Sequence, residues 1–194
     1  KTGKTDLATV YIAELEKNKY VEFVESLEPT YPKNKKWVII ISTLFGCPVK
    51  CRFCDSGGFY KGKLSTEQLS EQINYLITNS FPDKKVKVEK FKLQFARMGE
   101  PALNSKVLDV LKQLPELYDA PGLIPSISTV APFRCEKFFS ELKEIKDYLY
   151  KERFQLPFSG HSTDEEQRNW LIPVKKWSLK EIADFGNSFH KKGD

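Results

Sequence analysis

Apolar residues recur along the chain at two spacings, and each spacing predicts a different kind of element. The strand-like runs 8–15 and 20–27 flank the polar residues 16–19, which is typical of a β-hairpin. From residue 37 onward, short apolar runs alternate with stretches in which apolar residues recur every three or four positions. The pattern therefore predicts a hairpin followed by alternating strands and helices.

The alternating part contains four strand-plus-helix units. The predicted strands are 37–43, a segment within 86–95, 123–129 and 154–158, and Pro157 weakens the last because proline donates no ladder hydrogen bond. The residues that form the apolar faces of the four predicted helices are, in chain order, Leu69, Ile73, Leu76 and Ile77; Val107, Leu108, Leu111 and Leu114; Phe138, Leu142, Ile145 and Leu149; Ile182, Phe185 and Phe189. The predicted helix starts are capping boxes at Ser65 with Gln68 and at Ser178 with Glu181, and a cap at Asn104.

Strands that alternate with helices predict a parallel sheet with right-handed crossovers. A closed (βα) barrel needs eight units and about 250 residues. We therefore predict the α/β class: a partial TIM-type (βα) barrel with parallel strands, preceded by an N-terminal β-hairpin. Residues 1–35 are expected to form the hairpin extension and 36–194 the partial-barrel core, which we expect to be truncated at its C-terminus.

Composition excludes several classes of protein. The chain has 194 residues, of which 40% are hydrophobic and 29% charged, so it is neither dominated by disorder nor a disulfide-built miniprotein. Its longest apolar run, 37–41, is far short of the roughly 20 residues that cross a bilayer, and no secretory signal is visible. No membrane partner is predicted.

The formal net charge of +5 comes mostly from lysines. The densest group lies within 84–92 and consists of Lys84, Lys85, Lys87, Lys90 and Lys92. This group is interpreted as a solvated face, with a phosphate-contacting patch as the alternative.

Three of the four cysteines lie within eight residues, at a C-x3-C-x2-C spacing: Cys47, Cys51 and Cys54. Closely spaced cysteines without a secretory context favour metal ligation over disulfides, so a reducing, cytoplasmic location is predicted. Cys135 stands apart and is interpreted as a small apolar residue on a helix face, with a second redox thiol as the alternative.

Polar clusters follow each predicted strand. The three cysteines follow the first, residues 98–101 the second, 128–129 the third and 159–163 the fourth. Because ligands of parallel α/β folds bind outside the carboxyl ends of the strands, we expect these clusters to meet on one rim.

Three nearby thiolates suit a metal centre for which the protein supplies one ligand fewer than usual. Iron–sulfur clusters and structural zinc sites ordinarily close with four ligands. Three cysteines on a four-iron cluster leave one iron open to a substrate or cofactor, which is a catalytic arrangement. A zinc site closed by His161 or His190 is the alternative.

The cysteine spacing, with Phe53 inside it and the segment 99–101 after the next strand, is similar to the radical S-adenosylmethionine superfamily. In that superfamily the open iron binds the amino and carboxylate groups of S-adenosylmethionine. One electron from the reduced cluster then cleaves the sulfonium, giving methionine and a deoxyadenosyl radical that abstracts hydrogen from a substrate. The resemblance implies two cofactors, a 4Fe-4S cluster and S-adenosylmethionine, and a one-electron donor of the flavodoxin or ferredoxin type.

Further segments resemble the ribosomal RNA adenine C2/C8 methyltransferases, the RlmN/Cfr-like group. These are 98–104 and 159–161, followed by Asp164, Glu165, Arg168, 172–173 and 175–176, and the resemblance covers about residues 8–190. It implies that the cysteines bind the cluster and that Phe53 packs near the adenine. The remaining residues that it places around S-adenosylmethionine are Gly99, Glu100, Ser128, Ser159, Gly160 and His161. Glu100 would accept a hydrogen bond from the ammonium of the cofactor.

Several of these residues also have a plainer interpretation. Glu100 could cap the following turn, and His161 could be structural. His190 is interpreted as solvated near a helix end, and 57–58 as part of a loop over the cluster rather than a phosphate cradle. Trp170 is interpreted as a packing residue, with base stacking on RNA as the alternative.

Two departures from the methyltransferase pattern bear on the reaction. Those enzymes need a cysteine seven residues before the first cluster cysteine, where this chain has Ile40, and a methyl-carrying cysteine downstream of where this chain ends. Gly160 stands where Leu or Ile is common. The resulting prediction is a radical S-adenosylmethionine enzyme with an unidentified substrate and unassigned catalytic residues. The alternatives are an RNA adenine methyltransferase relative, with RNA as a partner, and a non-catalytic cluster- or cofactor-binding protein.

Overall fold

The computed structural model describes residues 1–4 and 6–190, and within these ranges six strands form one mixed sheet and two more form a separate small sheet. The strands are β1 (Thr2–Lys4), β2 (Ala8–Glu16), β3 (Lys19–Leu27), β4 (Lys36–Ile41), β5 (Leu44–Gly46), β6 (Tyr60–Lys63), β7 (Lys90–Phe95) and β8 (Leu123–Ile127). The order in the mixed sheet is β1-β2-β3-β4-β7-β8, and β5 pairs with β6. Strands β1 to β4 pair antiparallel, whereas β4, β7 and β8 pair parallel.

Five α-helices lie within the described ranges: α1 (Thr66–Ser80), α2 (Lys106–Leu117), α3 (Glu136–Ile145), α4 (Glu165–Leu171) and α5 (Leu179–Phe189). The mixed α/β class with parallel strands is confirmed. No helix in the described part of the chain is long and apolar enough to cross a membrane.

The core lies between one face of the sheet and the helices. Alternate residues of β4, among them Trp37 and Ile39, are fully buried, as a strand covered on that face requires. Trp37 lies opposite Phe91 of β7 in the parallel register, and the two rings stack at 4.8 Å. This packing fixes β4 against β7 and thereby sets where both strands end.

The side chains predicted to cap three helix starts all make capping hydrogen bonds. The capping boxes at Ser65 and Ser178 are present, each with its side-chain oxygen accepting from a backbone N–H three residues later. Asn104 Oδ1 accepts from Lys106 N at 3.2 Å, and Ser105 between them already has helical dihedral angles, so Asn104 caps the start of α2 as predicted. Asn104 is also buried, and its Nδ2 donates to the carbonyls of Thr43 and Leu64, so it ties two loops together.

The predicted strand at 154–158 is not a regular strand. Its backbone runs parallel to β8 and joins it through isolated bridges, with Ile127 N donating to Gln155 O at 3.0 Å and Thr129 N donating to Pro157 O at 3.2 Å. Pro157 has no N–H, so the ladder cannot continue in regular form. The segment 154–158 therefore lies beside β8, as predicted, but it does not form the regular strand that was predicted.

Candidate functional site

A cavity of about 170 Å³ lies where the parallel strands end, and residues from four chain segments line it. The lining residues are Cys47, Val49, Cys51, Phe53, Cys54, Ala96, Arg97, Gly99, Glu100, Ser128, Thr129, Val130, Ser159 and His161. A larger groove of about 680 Å³ lies along α2 and α3, where Lys, Glu and Tyr side chains but no cysteine line it. The sequence-predicted site residues therefore converge on the smaller cavity, with the exception of Gly160.

The cysteine loop is held by its own backbone. Cys47 N donates to the carbonyls of Ser56 at 2.8 Å and Phe59 at 3.1 Å, and Cys54 N donates to Cys51 O at 3.1 Å. Gly46 precedes the loop with φ +75°, and a Cβ at this position would lie 1.6 Å from Phe59 O. Only glycine permits this approach, so Gly46 is a determinant of the loop that the sequence analysis did not identify.

The three thiols share the cavity without converging on one point. Within the described residues, no three His, Cys, Asp or Glu side chains are arranged to hold a single metal ion. His190 ends α5 and is exposed, and it is not among the cavity residues. The described residues therefore present no preassembled ligand set for a one-ion zinc site closed by His161 or His190. A multi-iron cluster meets its thiolates through different iron atoms, and three cysteines that line one cavity suit that requirement.

Burial controls the protonation of these thiols. It raises the pKa of Cys47, and it raises the pKa of Cys51 to about 11, with further contributions from the neighbouring cysteines and from Glu100. A thiolate is the metal-ligating form, so positive charge must be supplied for these groups to ionise at neutral pH. The chemistry of this donor set fits a metal cluster, which supplies that charge.

Glu100 joins the ends of two neighbouring strands. It is 4% exposed, and its Oε1 accepts from Ala102 N at 3.0 Å and from Thr129 Oγ1 at 2.6 Å, while Oε2 accepts from Val130 N at 2.9 Å. Burial raises the pKa of Glu100 in spite of these three donors. Glu100 thus caps the turn after β7, as its plainer interpretation expected, and also fastens the loop after β8. Oε2 accepts one hydrogen bond, which leaves it acceptor capacity on the cavity side.

Two aromatic rings meet across the cavity. Phe53 and His161 pack with their centroids 4.1 Å apart, and each is at least partly exposed. His161 has φ +61°, a left-handed backbone conformation that is uncommon outside glycine. The loop after residue 158 therefore turns the imidazole onto Phe53. Ser159 also lines the cavity, whereas Gly160 does not, and a Cβ added at Gly160 would meet no atom within 4 Å.

The remaining sequence candidates lie away from the cavity lining. Cys135 is buried at the cap of α3 and donates to Ala102 O at 3.5 Å, and burial raises its pKa to about 11. This agrees with a structural role, although Cys135 sits at the helix start rather than on a helix face. Lys90 begins β7 at the end opposite the cavity, and the other members of its lysine group are mostly exposed. Trp170 is 58% exposed beneath the Arg52 guanidinium, so it is not a core packing residue.

Five residues that were not predicted as site residues also line the cavity: Val49, Ala96, Arg97, Thr129 and Val130. Thr129 was recognisable, because it directly follows Ser128 at the end of a predicted strand. Arg97 pairs with Glu22 of β3, an ion pair between segments 75 residues apart. No local pattern indicates that pairing, so Arg97 could not be found from the sequence alone.

Comparisons with known proteins identify relatives over most of the chain. A probable dual-specificity RNA methyltransferase RlmN of Fervidobacterium nodosum is 30% identical over 198 residues, covering 97% of this chain and 50% of the relative. A protein of the same name from Prochlorococcus marinus is 30% identical over 164 residues, covering 83% of this chain and 45% of the relative. No protein-family model matches the chain.

A solved structure shares the fold. The crystal structure of a radical SAM methyltransferase from Sphaerobacter thermophilus matches with a TM-score of 0.74 and 15% sequence identity, covering 97% of this chain and 52% of that one. At this identity the likeness concerns the fold alone. The chain spans about half the length of the curated relatives and of the solved structure that it matches.

Proposed function

The chain is related to the radical SAM methyltransferases of the RlmN/Cfr-like group, and from this relationship we propose that it carries the cofactor-binding part of a radical SAM enzyme. The observation that carries the proposal is the shared cavity. Three clustered cysteines line it together with polar residues from the ends of two neighbouring parallel strands. The proposed cofactors are a 4Fe-4S cluster and S-adenosylmethionine.

Cys47, Cys51 and Cys54 would hold the cluster through their thiolates. Backbone contacts hold the loop that carries them in place, since Cys47 N has two backbone acceptors and Gly46 allows close approach to Phe59. When bound, the cluster would supply the electron that cleaves the sulfonium of S-adenosylmethionine, and the protein would position the reactants and exclude water.

The residues opposite the cysteines would hold S-adenosylmethionine. Glu100 has acceptor capacity for its ammonium, and Gly99 leaves the backbone accessible at the end of β7. Ser128 and Ser159 offer hydroxyls to polar edges of the cofactor. Phe53 and His161 offer ring faces to the adenine, and their mutual contact would have to open for it to enter. Gly160 is proposed only as the backbone link that lets Ser159 and His161 reach the cavity.

The proposed architecture is a partial TIM-type barrel. Strands β4, β7 and β8 and the segment 154–158 run parallel in this order, with helices on one face, as four adjacent barrel strands would. Residues 1–35 would form the hairpin extension and 36–194 the core, of which 191–194 lie outside the described residues. Strand β3 pairs directly with β4, so the extension would continue the sheet of the core.

The substrate is proposed at the level of its class. The relatives are named as RNA methyltransferases, which supports RNA as a partner. Ile40 of β4 has no thiol, which argues against methyl transfer through the usual pair of accessory cysteines. We therefore favour radical chemistry on an unidentified substrate over ribosomal RNA methylation. The proposal also includes a one-electron donor of the flavodoxin or ferredoxin type. A reducing, cytoplasmic location is proposed because the thiols must stay reduced.

The test is anaerobic reconstitution of the full 194-residue chain with iron and sulfide. We expect close to four irons per chain and a reduced-cluster electron paramagnetic resonance signal that changes when S-adenosylmethionine is added. Deoxyadenosine should form in the same sample after reduction. Cys51→Ala should abolish iron uptake, whereas the matched control Cys135→Ala, outside the cavity, should retain it.

Three results would contradict parts of this proposal. Stoichiometric zinc without iron uptake would exclude the radical enzyme. A four-iron signal that S-adenosylmethionine leaves unchanged, without deoxyadenosine, would favour a cluster-binding protein without turnover. Full cluster absorbance in Cys51→Ala would refute the ligand assignment.

RNA is tested separately by the salt dependence of binding to a structured RNA hairpin. Each phosphate contact releases counterions, so the logarithm of the binding constant should fall linearly with the logarithm of salt concentration. An RNA partner predicts a slope corresponding to several contacts. Binding that is absent at low salt would exclude RNA as a partner of this chain.

A further inference from the structure

Helix α4 and the residues after it pack directly behind the cysteine loop. Val49, Val130 and Ile172 form a small buried cluster, and Cys47 and Cys51 pack against its edge. The cysteine loop is also tied to α4 through its backbone, since Arg52 N donates to Leu171 O at 2.9 Å. The surface that supports the cysteines from behind is therefore supplied by residues 168–177, a segment that the cavity lining does not include.

Two cations are embedded in this supporting segment. Arg168 is 3% exposed, and its Nη1 donates to Trp177 O at 2.8 Å. Its Nε and Nη2 have no hydrogen-bond partner within the described part of the chain. A buried guanidinium with an unpartnered edge is costly, and its retention calls for a compensating negative charge nearby.

Lys176 is the second cation of this segment. Its Nζ donates to Asn169 Oδ1 at 2.7 Å and to the carbonyls of Ile172 at 2.9 Å and Val174 at 3.4 Å. Ile172 belongs to the small buried cluster, and Val174, Cys47 and Cys51 all pack against that cluster. The ammonium is thus held by the backbone of residues that share one apolar cluster with the cysteines.

Neutral oxygens, rather than a carboxylate, surround this ammonium. No ion pair of Lys176 or Arg168 occurs within the described residues, and Glu165, whose charge reaches both, is exposed. Burial and the charge of Arg168 lower the pKa of Lys176, while the charge of Cys51 raises it. The positive charge behind the loop therefore has no carboxylate in direct contact within the described residues, and it is anchored on the cluster against which Cys47 and Cys51 pack.

We propose that Lys176, backed by Arg168, is a positioning residue for electron transfer whose fixed positive charge stabilises the reduced state of the cluster held by Cys47, Cys51 and Cys54. The inference rests on the proposed function. Reduction adds one electron from a low-potential one-electron donor, with no bond broken and no proton transferred. A cluster with three thiolates becomes more negative by one charge, and a nearby cation favours the more negative state.

A merely structural role for Lys176 makes a different prediction. If its ammonium only fastened the turn after α4, any side chain that kept those hydrogen bonds would suffice, whatever its charge. Lys176→Gln retains donors and removes the charge. Lys176→Arg retains both. Lys175→Gln is the matched control, because Lys175 is exposed, carries the same charge one residue away and lies over the Phe133 ring at 4.0 Å.

The experiment is a mediated redox titration of the anaerobically reconstituted chain, followed by electron paramagnetic resonance of the reduced cluster without substrate. In Lys176→Gln, the ratio of reduced to oxidised cluster at a fixed potential should fall about tenfold, which corresponds to a midpoint 59 mV more negative for a one-electron couple. Lys176→Arg and Lys175→Gln should titrate like the wild type.

The inference is overturned if Lys176→Gln titrates like the wild type, if Lys175→Gln shifts as far, or if Lys176→Arg shifts with it. Should Lys176→Gln bind no cluster, Lys176→Arg decides: a full cluster with a wild-type midpoint supports the role of charge, and loss of the cluster in this variant too refutes it. If the wild-type chain itself takes up no four-iron cluster, the proposed function fails first, so the two failures are distinguishable.

Discussion

Replacing Gly99 with alanine should destabilise the chain strongly, although the change adds a single methyl group. Gly99 follows β7 with φ +96°, a conformation that residues with a Cβ rarely adopt. A Cβ built there would lie 2.5 Å from Leu44 Cβ, 2.6 Å from Leu44 Cγ and 2.8 Å from Leu44 N. Leu44 is fully buried in β5, so its side chain cannot move aside easily.

The magnitude follows from two separate costs. A left-handed backbone costs an L-residue about 1–2 kcal/mol, and overpacking a filled core costs about 1–3 kcal/mol. The free energy of unfolding should therefore fall by about 2–5 kcal/mol, a large part of the ~5–15 kcal/mol typical of a domain. At about 2–4 °C per kcal/mol for a chain of this size, Tm should fall by about 4–20 °C.

The assay is thermal and urea unfolding of the reduced, metal-free chain followed by far-ultraviolet circular dichroism. Gly160→Ala is the matched control, because a Cβ at Gly160 meets nothing within 4 Å and its φ lies outside the left-handed range. It should change stability by less than about 0.5 kcal/mol. Equal Tm values for Gly99→Ala, Gly160→Ala and the wild type would refute the reasoning from close approach and positive φ.

Three further predictions concern protonation and capping. Burial raises the pKa of Glu100 above its ordinary 4.5, so the folded chain holds this proton more tightly than the unfolded chain. The wild-type free energy of unfolding should therefore decline as pH rises from 4.5 through the raised pKa, and Glu100→Gln should lack that slope in urea titrations; a shared slope would contradict it. Burial raises the pKa of Cys51 to about 11, so in the metal-free chain at pH 8 its alkylation, followed by mass spectrometry, should be slower than that of the exposed Cys54. The alkylation rate of Cys51 should rise about tenfold for each unit by which the pH is raised above 8 towards that pKa. Equal rates for the two cysteines at pH 8 would refute this prediction. Ser65→Ala should lower the free energy of unfolding by about 1 kcal/mol, because it removes the cap of α1. Ser105→Ala, at a residue whose side chain makes no capping hydrogen bond, should leave it almost unchanged. Equal losses for the two variants in urea unfolding would contradict the assignment.

The parts of the fold that depend on local pattern could be predicted from the sequence. The capping box at Ser65 needs only two residues three positions apart, and the stripes of α1 and α2 need only helical spacing. The gathering of site residues was predictable for a topological reason. Consecutive parallel strands place their carboxyl ends together, so residues after each strand meet even when they are far apart in sequence.

Features that depend on distant partners could not be predicted in this way. Asn104 caps α2 as its local pattern predicted, but nothing local shows that its amide also donates to the carbonyls of Thr43 and Leu64. Strands β5 and β6 are short and have no alternating pattern, and they pair across the turn that carries the cysteines. Helix α4 has one buried residue, Arg168, so it lacks the apolar stripe that identifies an amphipathic helix.

Glu100 shows how a site residue can be found for one reason and be held in place for another. Its position after β7 pointed to a ligand contact, and the structure shows that three donors from the loops after β7 and β8 already bind its carboxylate. The same side chain therefore closes the strand ends against each other and supplies the carboxyl group that lines the cavity. Because those hydrogen bonds fix both oxygens before any ligand enters, the carboxylate is preorganised, and binding need not pay the entropy of ordering it. A cationic group of a ligand would meet a rigid acceptor whose burial makes ionisation costly, so its arrival and the ionisation of Glu100 should favour each other.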